Sequence, residues 1–301
     1  MHGSTELGIL FALGTAFSWA TAGIIHTAIA RRIGVQGVLL LRQPVAALAL
    51  GAACLLSGVP LLISSHFLWP AAASGLTGIL IGDACLYAGA LRIGLRPAQV
   101  CLSLSAAFTA LIGAMFLGER IGLQGVLGIA VATAGVILVV SSERGDAHNP
   151  PSKGRTRTQG IALCLFSALM LAVGMIFSKQ ALSGGMAPLS LALYRNGVSM
   201  IGIILIAVLR GAIRPTLSAL REHPEVFKLV PPGCLFGPAG GIWLSCLAID
   251  FLPAAVASML IGLEPIALLI IMGIMERRMP RRDSIIGSVI ACTGAAVLVL
   301  R

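Results

Sequence analysis

Ten apolar stretches fill almost the whole chain, each about as long as one crossing of a lipid bilayer. They run over residues 7–30, 38–57, 68–91, 98–117, 122–140, 160–182, 189–209, 229–249, 254–275 and 284–300. The hydrocarbon core of a bilayer is roughly 30 Å thick, and a helix rises about 1.5 Å per residue, so about 20 apolar residues span it. In lipid every backbone N–H and C=O needs an internal partner, which leaves helices and closed barrels as spanning structures. Barrel strands alternate polar and apolar residues. These stretches are apolar all round, so the sequence predicts an all-α integral membrane protein with ten transmembrane helices.

Composition excludes a soluble domain: 57% of residues are hydrophobic, 11% are charged and mean hydropathy is +0.99. The 36 glycines suit close packing of membrane helices, where small residues let backbones approach. The net charge of +10 is read as basic loops facing anionic membrane lipid, with no nucleic-acid motif to suggest another partner. None of the seven cysteines forms a CxxC pair, so they read as small buried apolar residues rather than metal ligands. No Ser/His/Asp order, zinc spacing or phosphate loop emerges, so no enzyme, cofactor or ATP site is expected. The first stretch is too long for an ordinary signal core and no Lys or Arg precedes Arg31, so it is expected to remain as the first helix.

The long polar break at 141–158 carries charge, a Pro-Pro pair and small polar residues, and reads as a linker. The halves on either side, 1–140 and 159–301, align. Gly8, Ala16 and Ala20 match Gly160, Ala168 and Ala172; Arg42 matches Arg195; Ala90-Leu91-Arg92 matches Ala248-Ile249-Asp250; Gly128, Ala132 and Gly135 match Gly287, Ala291 and Gly294. A half with five helices ends on the side opposite its start, so its copy is inverted. Secondary transporters use such inverted repeats, with a midplane site between the halves.

Several motifs carry a resemblance. In the first half they are Ala90-Leu91-Arg92-Ile93-Gly94, the run Ser103–Leu111, Leu117-Gly118-Glu119-Arg120, Gly122-Leu123-Gln124 and Gly128 with Gly135. In the second they are Ala248-Ile249-Asp250-Phe251-Leu252-Pro253-Ala254, Gly262-Leu263-Glu264-Pro265, Ile274-Met275-Glu276-Arg277 and Gly287 with Gly294. Over its whole length the chain resembles the EamA-domain family of the drug/metabolite transporter superfamily. The resemblance implies a transporter of amino acids, other metabolites or drugs. It also marks two departures. Ala106 stands where the family usually has Pro, which removes the usual source of a kink in the fourth helix, and Pro265 lies closer to Glu276 than in the family pattern.

A charge at the bilayer centre costs roughly 2.5–3.5 kcal/mol, so each intramembrane charge needs a reason. Arg42 and Arg195 are either snorkelling to headgroups on long stems or anchoring a carboxylate, from the solute or from the protein. Their symmetric placement points to opposite ends of a cavity. Asp83 has too short a stem to snorkel: it is a buried partner for an arginine, a helix-packing group, or a coupling or binding carboxylate. Glu264 precedes Pro265, which disfavours helical geometry just before it, so a kink is expected there. Its carboxyl either bonds freed backbone groups or lines the cavity. Tyr87, Trp19 and Trp243 are candidate lining residues with apolar faces and a polar handle. His26 reads as packing, Lys179 as an interfacial anchor, and Glu119 and Glu276 as helix-end residues beside Arg120 and Arg277.

The expected function is a secondary transporter of a small solute, amino-acid-like or drug-like, in the cytoplasmic (inner) membrane of a bacterium, acting as a monomer or homodimer. Alternating access powered by a proton or substrate gradient is the expected mode. The alternative is a non-transporting membrane protein such as a flippase component or scaffold. Sixteen of the 21 Lys and Arg residues lie in odd-numbered connections, and only Arg120, Lys179 and Arg301 lie in even-numbered ones or at the termini. Positive loops stay cytoplasmic, which places both termini outside.

Overall fold

The computed structural model describes residues 2–117, 123–142, 155–276 and 282–299. Among these every regular element is helical: α1 (His2–Leu56), α2 (Ser65–Ser74), α3 (Gly82–Ile93), α4 (Leu95–Leu102), α5 (Ser105–Leu117), α6 (Leu123–Ser142), α7 (Arg155–Ser183), α8 (Pro188–Leu209), α9 (Ile213–Glu222), α10 (Val226–Cys234), α11 (Gly240–Phe251), α12 (Ala254–Ile261), α13 (Glu264–Glu276) and α14 (Arg282–Val299). Two π-helical segments, Gly75–Ile81 and Leu235–Ala239, join α2 to α3 and α10 to α11. Seven helical stretches of the described residues are long and apolar enough to cross a membrane. Large apolar side chains such as Leu48, Leu56 and Ile274 lie on the outside, as lipid requires. The chain is a helical multi-pass membrane protein.

The first of these stretches, Thr5–Leu56, has 52 residues, far more than one bilayer needs. It is broken at Gly34, whose φ of 76° and ψ of 165° lie outside the helical region. Only glycine enters that region without strain, so the break separates two arms, each of spanning length. Arg31 and Arg32 stand just before it. Arg32 Nε pairs with Glu225 Oε1 at 3.2 Å, which ties this corner to the start of α10.

Ile213–Glu222 is a helix where the sequence reading has only a connection. It is short and amphipathic: Leu220 is buried with Ile29, Ile33 and Val226, while Arg214 and Arg221 stay outside. Ten residues with half their positions polar do not register as a span.

The fourth apolar stretch is broken between α4 and α5, although Ala106 lacks a proline's effect. The Ser103 hydroxyl donates to Val100 O at 2.7 Å, and the Leu104 N–H bonds to Cys101 O rather than four residues back. A serine competing for backbone carbonyls tightens the turn that a proline was expected to supply. The ninth stretch breaks at Gly262–Leu263, so that Glu264 opens α13 with Pro265 in its first turn, where a missing N–H costs nothing.

The π segments widen the helix. In Leu235–Ala239, Pro238 removes a donor and Gly237 leaves helical geometry. The carbonyls released are taken up from outside: Ser18 Oγ donates to Phe236 O at 2.6 Å, and Asn196 Nδ2 to Pro238 O at 2.8 Å. Elsewhere α6 and α14 cross so closely that a Cβ on Gly135 would strike the Ala291 backbone, and one on Gly294 the Ala132 backbone. Of the polar linker, residues 143–154 lie outside the described residues, as do Glu119, Arg120 and Arg277.

Candidate functional site

α1, both π segments, α3, α4, α7, α8, α11 and α13 line a cavity of about 600 Å³, its open mouth included. Its wall is mainly apolar, with Ile79, Leu86, Leu102, Leu171, Pro238 and Ile242. Arg42, Asp83, Arg195 and Glu264 all line it, together with Tyr87 and Trp19. An apolar pocket with a few convergent polar groups is the usual form of a small-molecule site.

Arg42 comes from the second arm of α1 and is 4% exposed, so its guanidinium does not snorkel to headgroups. Nη2 donates to Asp83 Oδ2. Nη1 donates to Tyr87 Oη at 3.0 Å and meets His26 Nδ1 at 3.3 Å. Asp83 and Tyr87 lie one turn apart on α3, so one helix face presents both acceptors. The Tyr87 hydroxyl, which can both donate and accept, also shares a hydrogen bond of 3.0 Å with His26 Nδ1. The Arg42 carbon Cζ also lies 5.2 Å from the Tyr87 ring centre, within cation–π range. His26, read as packing in the sequence, is a fully enclosed member of this network. The signal for it was a polar residue deep in an apolar stretch.

Arg195, on α8, is 1% exposed. Its single hydrogen bond among the described residues runs from Nη1 to Cys246 Sγ at 3.7 Å, and its Nε is buried without a partner. Its backbone abuts Gly75 and its Nη2 faces Gly78, on the first π segment, so the absence of side chains there makes room for the guanidinium. Arg42 and Arg195 therefore line one and the same cavity.

Glu264 sits at the N-terminus of α13, where the helix dipole favours a carboxylate, and is 4% exposed. Gln99 of α4 lines the same cavity beside it. Gln99, Glu264 and Trp19 also line a smaller lobe that reaches the helix breaks at Ser103 and Gly262. The sequence reading passed over Gln99, a lone amide in an otherwise apolar run. Among the described residues no three His, Cys, Asp or Glu side chains converge as a metal set.

The EamA-like transporter family matches residues 6–141 and 158–300. The chain belongs to the EamA-like transporter family. An uncharacterized transporter of Archaeoglobus fulgidus is 30% identical over 111 residues, which are 37% of this chain and 36% of that protein. The chain thus matches little more than a third of that relative's length. A solved crystal structure shares the fold at 15% identity, with a TM-score of 0.68 over 97% of this chain and 96% of that one.

Two residues of this EamA-like transporter stand apart from the places the sequence suggested. Trp243 is 37% exposed and does not line the cavity, because it falls on another face of α11 from Ile242 and Cys246. Lys179 is not a free anchor: its Nζ donates to Ile249 O at 2.7 Å and Leu252 O at 3.1 Å, capping the C-terminal carbonyls of α11.

Proposed function

We propose that the chain is a ten-span secondary transporter that moves a small solute by alternating access, with the Arg42–Asp83–Arg195–Glu264 cavity as its binding site. The ten spans are the two arms of α1, then α2–α3, α4–α5, α6, α7, α8, α10–α11, α12–α13 and α14. They form two five-helix repeats, 1–140 and 159–301, joined by 141–158, and five spans per half make the second repeat inverted. Recurring detail supports this reading. A π segment follows the start of the third and eighth spans, a break interrupts the fourth and ninth, and Gly135 on Ala291 mirrors Gly294 on Ala132. Such pairing is what a two-fold axis in the membrane plane produces.

The observation that carries the function is that charged side chains from both halves converge on one buried cavity inside an apolar shell. Each would be costly in lipid, and a solute pathway gives each a purpose. Asp83 is held by Arg42, so Glu264 is the group that exchanges a proton between the two faces of the bacterial cytoplasmic membrane. Rocking one half against the other exposes the cavity to each side in turn, and no chemistry on the solute is involved. The test is flux of candidate amino acids and drug-like solutes into liposomes holding the purified protein. A carrier speeds uptake over protein-free vesicles, and a Glu264→Gln variant loses the response to a pH gradient. A scaffold gives neither effect.

A further inference from the structure

We infer that the solute is a small monocarboxylate with an apolar body, and that Arg195 is its anchor. The inference rests on the transporter reading above and adds the chemical class of the solute.

The two arginines match in sequence and share the cavity, yet their partners differ. Arg42 donates to the Asp83 carboxylate and the Tyr87 hydroxyl, both from α3, so its charge is paired, although its Nε, like that of Arg195, is buried without a partner. The corresponding helix of the second half is α11. Aligning Ala90 with Ala248 brings Asp83 onto Gly241 and Tyr87 onto Ser245. Gly241 offers no side chain, and the Ser245 hydroxyl is spent on Ile242 O at 2.7 Å. Arg195 is left with the Cys246 thiol at 3.7 Å, a weak acceptor, and with a buried Nε that bonds nothing. Asp83 lies near enough to feel Arg195, but its carboxylate is already engaged by Arg42.

A buried guanidinium without an anion is the costly half of an ion pair, and a cavity-facing one can be completed by a solute. A planar carboxylate fits its fork, whereas an ammonium is repelled by it. One guanidinium without an anion argues for one negative charge, since Glu264 on the wall of the same cavity stands against a second. Trp19, Leu86, Leu171 and Ile242 leave apolar wall for the remainder of the molecule.

The test uses the purified full chain in detergent, with benzoate and cinnamate, their amides, and benzylamine and cinnamylamine as matched probes. A ligand that binds only the native state raises the unfolding temperature. Both carboxylates should raise it, and the amides and amines should not. Arg195→Gln should weaken carboxylate binding by at least about tenfold, and Arg195→Lys should keep part of it. The lysine variant carries the test if the glutamine variant does not fold. Stabilisation by amides or amines equal to that by the acids overturns the inference. So does a lack of effect from either carboxylate, or undiminished carboxylate binding in both variants. Flux in liposomes separates the two claims. Movement of an amine or amide keeps the transporter and discards the anionic class, whereas Arg195-dependent carboxylate binding without flux of any probe keeps the site and discards transport.

Discussion

Arg42 is bound through Nη2 by Asp83 of α3, and among the described residues no acid is bonded to Arg195. The two arginines keep the symmetry of the repeats, while the two acids break it. Asp83 aligns with Gly241, and Glu264 with Ser105 when Gly128 is set on Gly287. A cavity between two similar halves thus acquires distinct ends, which a solute with a head and a tail requires.

The Arg42–Asp83 pair is expected to be coupled in stability. Removing one partner of a buried pair costs about 3–5 kcal/mol because the other charge is stranded. The Asp83 side chain retains 26% exposure, so a smaller loss of about 2 kcal/mol is expected for Asp83→Asn. In a double-mutant cycle with Arg42→Gln, the double variant should be less destabilised than the sum of the singles by at least about 1 kcal/mol. Unfolding of the purified proteins in detergent checks this; additive losses would show that the pair is not coupled.

Glu264 and Asp83 separate in transport. Glu264→Gln should continue to exchange solute but lose uptake driven by a pH gradient. Asp83→Asn should lower the rate through its effect on Arg42. The check is initial uptake in liposomes over two pH units around neutrality. Wild-type, gradient-driven rates in Glu264→Gln would remove that residue as the coupling group.

At the α6–α14 crossing the backbones touch through glycine. Gly135→Ala and Gly294→Ala should each cost about 1–3 kcal/mol, as overpacking does, and should do so nearly equally if the crossing is two-fold. The yield and unfolding temperature of each variant measure it. A loss at one position with none at the other would contradict a symmetric contact.

Topology follows from charge. A reporter fused after Arg301 should give active alkaline phosphatase and a dark cytoplasm-dependent fluorescent protein, because the basic connections hold the odd-numbered corners inside. The bridge from Arg32 to Glu225 joins two of these corners on one side. A bright fluorescent fusion with an inactive phosphatase would reverse the orientation.

The apolar stretches were legible because bilayer thickness writes itself into sequence as length and hydropathy. Arg42, Asp83, Arg195 and Glu264 were legible because a charge there is exceptional. What was hidden depended on neighbours distant in sequence. The unpaired charge of Arg195 rests on what α11 lacks, and the second π segment rests on Ser18 and Asn196 taking up stray carbonyls. The break at Ser103 uses a hydroxyl in place of proline, and α9 is too short and too polar to read as a span. Trp243 could not be assigned a face, since a helix apolar on all sides gives no phase to its residues.

Counterflow tests alternating access most directly. Liposomes holding the purified protein are loaded with unlabelled benzoate, diluted into a trace of labelled benzoate, and compared with empty ones. A single site exposed to one side at a time returns to the outside faster when loaded, so alternating access predicts faster entry of label into the loaded vesicles and its loss in Arg195→Gln. Label entry faster than into protein-free vesicles but equal in loaded and empty ones would contradict it.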